Sequence, residues 1–135
     1  MSRVNQRESY FACLAVALCF LSGCGASEKK YTPSVNSARE ALDTALKTWK
    51  SGAAHAKVEG YKVPIDVFDA RWQRGKKLES YEILNEEKSE GIARVFSVKM
   101  KLDEDKEEKE VKYYIVGIDP LNIFREQDYN RAGGL

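Results

Sequence analysis

Cysteine, histidine and proline are scarce in this 135-residue chain, and each scarcity closes off some chemistry. The three cysteines, Cys13, Cys19 and Cys24, all fall within the first 24 residues. Everything after Cys24 therefore lacks a disulfide, a thiolate zinc ligand and a cysteine nucleophile. The single histidine, His55, has no second histidine or later cysteine to join it at a metal. Its side chain titrates near neutrality, which makes it a candidate proton carrier, but acid–base work needs a partner and a pocket. Neither is indicated around it, so an exposed or structural role is the competing reading. No serine occupies a nucleophile elbow and no glycine-rich loop is set to cradle phosphate, so catalysis would fall to carboxylates, tyrosines or lysines. No motif calls for a cofactor or a metal.

An excess of one charge is also missing, with 22 basic residues against 21 acidic ones. A balanced chain without a basic cluster gives nucleic acid no electrostatic footprint. Anionic lipid head groups find only the Lys29-Lys30 pair. Long apolar runs are absent too. The longest, Phe11 to Leu21, covers 11 residues, whereas a membrane-spanning helix needs about 20. Preceded by Arg3 and Arg7, that run has the form of a secretory signal.

The run closes on Leu21-Ser22-Gly23-Cys24, which resembles the bacterial lipoprotein box: small residues admit the peptidase to the bond before an acylated cysteine. The resemblance implies a mature chain starting at lipidated Cys24, exported and held on the cell envelope, periplasmic or outer. One acyl chain binds a bilayer only marginally, so the multiple acylation of bacterial lipoproteins matters. Residues 1–23 are then a signal peptide, 24–36 a lipidated tether, 37–126 a single α+β domain and 127–135 a flexible tail. Removing Arg3, Arg7 and Glu8 with the leader leaves 20 charges of each sign. The remaining 112 residues suffice for one domain.

Ala38, Ala41, Leu42, Ala45, Leu46 and Trp49 recur at spacings of three and four and predict a helix from about Ala38 to Ser51. Ser37 and Glu40 are spaced for a capping box, and Gly52 supplies the stop. Trp49 reads as a core anchor, with a ligand platform as the alternative. Val63 to Phe68 has strand composition, and Pro64 confines it to an edge or a start. Asp69 is placed to cap a short turn through Trp72, closed by Gly75. Lys77 to Leu84 predicts a strand whose alternation slips near Ser80. Phe96, Val98, Met100 and Leu102 alternate as one face of an antiparallel strand. Asp103 to Glu110 is nearly all charge; without a glycine to turn a calcium loop, it reads as a solvated hairpin tip. Val111 to Ile118 is the most apolar strand, covered on both faces and central. Leu121 to Phe124 gives a short last strand, after which the polar chain is expected to fray.

This order of elements predicts an α+β fold: one long N-terminal helix packed on a curved antiparallel sheet of three to four strands. The layout resembles the cystatin-like and nuclear transport factor 2-like roll. The landmarks Leu46-Lys47-Thr48-Trp49-Lys50-Ser51-Gly52, Trp72 with Gly75, Leu78-Glu79-Ser80-Tyr81-Glu82-Ile83 and Tyr114-Ile115-Val116-Gly117 resemble a group of short bacterial secreted proteins and lipoproteins to which no activity attaches.

Two functions follow. One is a membrane-tethered binding module that holds an envelope protein or a small ligand. The other is a small enzyme of the nuclear transport factor 2-like kind, using carboxylate acid–base chemistry. The inward face of Phe96, Val98, Met100 and Leu102 carries no titratable group and favours binding. Asp66, Asp69, Glu79 and Glu82, together with His55, are the candidates for a ligand or acid–base role. A buried carboxylate among them with a raised pKa would favour the enzyme.

Overall fold

The computed structural model describes residues 31–55 and 58–134, the side chains of residues 88–90 excepted. The expected signal peptide, Cys24 and most of the expected tether lie outside the described residues.

Helix α1 spans Val35–Lys50, and the whole predicted stripe from Ala38 to Trp49 is buried. It begins three residues earlier than the sequence suggests. Ser34, not Ser37, is the N-cap: its extended backbone lets its hydroxyl accept from the Ser37 amide at 3.1 Å. The expected Ser37–Glu40 capping box is replaced by this turn. The cause lies upstream, where Pro33 is buried and its carbonyl accepts from Arg94 Nε at 2.9 Å, fixing the chain's entry into the helix. Gly52 ends the helix with φ +90°, a conformation open to glycine without a Cβ clash.

The strands are β1 (Ile65–Phe68), β2 (Leu78–Glu90), β3 (Ala93–Leu102), β4 (Lys109–Val116) and β5 (Leu121–Arg125), ordered β1-β5-β4-β3-β2. The fold is α+β, but the sheet has five strands and is mixed, correcting the expected antiparallel sheet of three to four. β1 runs parallel to β5, pairing Ile65 with Leu121 and Phe68 with Phe124. A four-residue strand shows its period to the sequence but not its partner or direction, and the long route from β1 to β5 permits the parallel pairing. Pro64 does sit just before β1 on an edge, and the slip near Ser80 is a register shift between Leu78 and Ser80. β4 is central, as its two apolar faces predict.

Alternation divides the sheet into two covered faces. Inward, Phe96, Val98, Tyr113, Ile115 and Ile123 pack with α1. Outward, Val95, Tyr114, Val116 and Phe124 form a second cluster with Tyr129. Tyr129 belongs to α3 (Glu126–Arg131), which forms where a frayed tail is expected. Its ring stacks on Tyr114 with centroids 4.4 Å apart, so burial of one aromatic orders a polar segment. Ile118, expected on a covered face, is instead 52% exposed beyond the end of β4.

Candidate functional site

Asp69 is the one candidate carboxylate that folding buries completely. It caps the short helix α2 (Ala70–Gln73), accepting from the Arg71 amide at 2.9 Å through Oδ1. The i+2 spacing also returns the Arg71 side chain to its own cap. Nε donates to Oδ1 at 3.1 Å and a terminal nitrogen to Oδ2 at 2.8 Å, a two-pronged ion pair. From β4, the Tyr113 hydroxyl donates to Oδ2 at 2.7 Å and accepts from Arg71 at 3.0 Å. Burial opposes the Asp69 charge, but the Arg71 hydrogen bonds and charge, with Tyr113, outweigh it and hold the pKa below the usual carboxylate value. Burial and the neighbouring Asp69 charge push the Tyr113 hydroxyl well above its ordinary value. The carboxylate therefore stays ionised and the phenol protonated, which suits a structural lock and makes Asp69 a poor proton donor.

Around this lock the interior is filled. Trp49 stacks on Trp72 at 5.4 Å, and the Arg71 guanidinium lies 5.6 Å from the Trp49 ring. Both indoles also donate hydrogen bonds, Trp49 to the Lys76 carbonyl at 2.7 Å and Trp72 to the Ala53 carbonyl at 2.9 Å. Trp49 is 2% exposed, which resolves it as a core anchor.

A broad concavity lies outside this core, between α1 and β2. It is an open groove of about 990 Å³, walled by Arg39, Asp43 and Lys47 on the helix and by Tyr81, Glu82 and Ile83 on the strand. A register shift between Ile83 and Glu86 bends β2 here. Arg39 donates to the Ile83 and Leu84 carbonyls at 3.2 Å each, satisfying backbone beside the irregularity. Across the groove, Tyr81 donates to Asp43 Oδ1 at 2.8 Å while Lys47 pairs with Oδ2 at 2.8 Å. Burial and the Asp43 hydrogen bond raise the Tyr81 pKa. Burial disfavours the Asp43 charge, yet the Lys47 and Tyr81 bonds lower its pKa. The groove thus presents fixed polar groups flanked by apolar ring and methyl surface.

The sequence candidates are scattered. Glu82 lies exposed on the groove wall, and Glu79, also on β2, pairs with Lys101 of β3 at 3.2 Å. Asp66 points to the opposite face of β1 from Ile65 and Val67, in register with Asn122. His55 Nε2 lies 2.7 Å from the Val67 carbonyl, which can only accept, so Nε2 carries the proton and caps backbone at the β1 edge. Its ring meets Trp72 edge-on at 5.4 Å. None of these joins Asp69. The groove's Arg39, Asp43, Lys47 and Tyr81 escaped sequence reasoning. Only the i,i+4 spacing of Asp43 and Lys47 hinted at them, and that pattern ordinarily marks a solvated helix face. Among the described residues no three histidine, cysteine or carboxylate groups gather as metal ligands, and no helix is long and apolar enough to cross a membrane. Comparison of the chain with known protein families, with curated proteins and with solved structures finds no match.

Proposed function

We propose that the chain is an exported lipoprotein of the bacterial cell envelope, anchored by acyl chains on Cys24, whose α+β domain binds an envelope protein in the groove between α1 and β2. The groove itself carries the reading. It is an open groove of about 990 Å³, and its Tyr81–Asp43–Lys47 bridge holds polar groups in place before a partner arrives. The ionised, locked Asp69 supports binding over acid–base turnover, as does the packed space between helix and sheet. The export and anchor rest on the Phe11–Leu21 run and the Leu21-Ser22-Gly23-Cys24 box, and kinship with short secreted proteins and lipoproteins on the landmarks from Leu46 to Gly117. A helix laid across a sheet also supports likeness to the cystatin-like and nuclear transport factor 2-like roll.

Site-directed photocrosslinking in intact cells tests the binding claim. A photoreactive residue at Glu82 should give one discrete adduct that Asp43→Lys abolishes, while the same probe at Glu107, on the turn between β3 and β4, gives none. Equal labelling from both positions would reject the groove as the site.

A further inference from the structure

Large apolar side chains are left exposed in few places on this domain. Among the described residues they are Tyr31 at 58%, Ile118 at 52%, Phe68 at 38% and Val35 at 36%. Phe68 stacks on Phe124 at 4.5 Å. The other three gather at one pole. The Gly117 amide donates to the Tyr31 carbonyl at 2.6 Å, setting Tyr31 beside Ile118. Val35 begins α1 directly after Ser34, and Pro33, Ser34, Val63, Ile118 and Leu121 line a shallow cleft of about 290 Å³ there, with Lys62 at its side.

The opposite pole has the contrary character. β4 runs eight residues from the β3–β4 hairpin to this end, about 26 Å at the usual rise. The hairpin carries Asp103, Glu104, Asp105, Glu107 and Glu108 against Lys106 alone. Glu104, Asp105 and Glu108 there pair with Lys76, Lys109 and Lys99, so that end of the domain is charged and solvated.

We infer that the Tyr31–Val35–Ile118 pole is a membrane-apposed face that rests on the bilayer carrying the anchor and sets the orientation of the domain. The inference builds on the acylation of Cys24 proposed above. Cys24 precedes Tyr31 by seven positions, so even a fully extended backbone keeps the two within about 25 Å. That span holds this pole within reach of the lipid surface. The chemistry agrees. A tyrosine presents an apolar ring and a polar tip, as residues at a membrane–water boundary do, and a lysine lays its stem on apolar surface while its ammonium meets head groups. Anionic lipids attract Lys62. Once the pole is seated, α1 leads away from the membrane and opens its groove along its flank to the envelope space.

The test uses the full chain, processed and acylated in a bacterial host, with Ile118→Cys, Val35→Cys or Glu107→Cys. After acylation of Cys24 the introduced thiol is the sole free one, and it receives an environment-sensitive fluorophore. In vesicles of phosphatidylethanolamine and phosphatidylglycerol, the probes at 118 and 35 should shift to shorter wavelength and lose access to aqueous iodide several-fold relative to the probe at 107. The two pole positions are independent, so a folding defect in one leaves the other to decide. Equal iodide access at all three positions, in protein whose acylation mass spectrometry has verified, overturns the membrane face and leaves the anchor standing. A mature terminus without acyl groups overturns both. A shift that follows protein density at constant lipid marks contact between copies and also overturns the membrane face.

Discussion

Asp69 shows how one residue gains its role from neighbours far away in sequence. Its place as the cap of a short turn is legible from the order Asp69, Ala70, Arg71, Trp72, because a side-chain oxygen before a helical turn satisfies free amides. Its burial is not legible, since Tyr113 arrives 44 positions later from β4. The low pKa makes a directional prediction. A carboxylate held below its unfolded value adds stability that is complete above about pH 4 and is lost as the pH falls through the folded value. Asp69→Asn leaves Arg71 and Tyr113 without the charge they surround. Breaking a buried ion pair this way costs about 3–5 kcal/mol, and the 14% exposure of Arg71 places the loss near the lower end. Urea unfolding should therefore show a gap of about 3 kcal/mol between wild type and Asp69→Asn at pH 7 that narrows steadily below pH 4. A gap independent of pH would mean that Asp69 acts by shape alone.

Elements with a strong period were legible and those defined by partners were not. The α1 stripe, the slip in β2, the inward face of β3 and the two-faced β4 follow from residue order, because burial on one face or two leaves a period in the chain; the covering of Val95 and Ser97 on the other face of β3 does not. The parallel β1–β5 pair, the early start of α1 and the formation of α3 depend on contacts distant in sequence. So does the groove, whose walls at Asp43 and Tyr81 stand 38 positions apart. α3 is the sharpest case, a six-residue helix with one buried side chain. Too short to persist by propensity, it is held by Tyr129 against Tyr114 and Phe124, with Arg125 Nε bonded to Asp128 at 2.9 Å. Tyr129→Ala should cost about 3 kcal/mol, near the lower end for a buried aromatic because the outer face can relax. Amides of residues 126–131 should then lose hydrogen-exchange protection before the sheet does. A cost below about 1 kcal/mol would return this segment to the frayed tail its polar sequence suggests.

For the whole molecule, the proposed place in the envelope depends on separating what anchors it from what orients it. The pole offers three partly exposed apolar side chains, Tyr31, Val35 and Ile118. Full burial of such a side chain gives about 1.5–3 kcal/mol, and since each is already partly covered, the pole adds about 3 kcal/mol in all. That falls short of the roughly 4 kcal/mol of a millimolar dissociation constant, too weak to retain the protein on a membrane. No described helix is long and apolar enough to cross a membrane, and the 11-residue apolar run Phe11–Leu21 is too short to span. Acyl chains differ in scale, since each buried methylene contributes about 0.8 kcal/mol and two or more chains hold firmly where one does not. Cys24→Ala should consequently move the protein from the membrane pellet to the aqueous phase although the pole is intact, and the variant should keep the wild-type unfolding midpoint because the domain's core lies well beyond position 24. Wild type should stay with the membrane through high salt and through an alkaline wash, as an acyl anchor does and a charge contact does not. Retention of Cys24→Ala in the washed pellet would show that another segment supplies the anchor, and would make the pole, rather than the lipid, the first place to look.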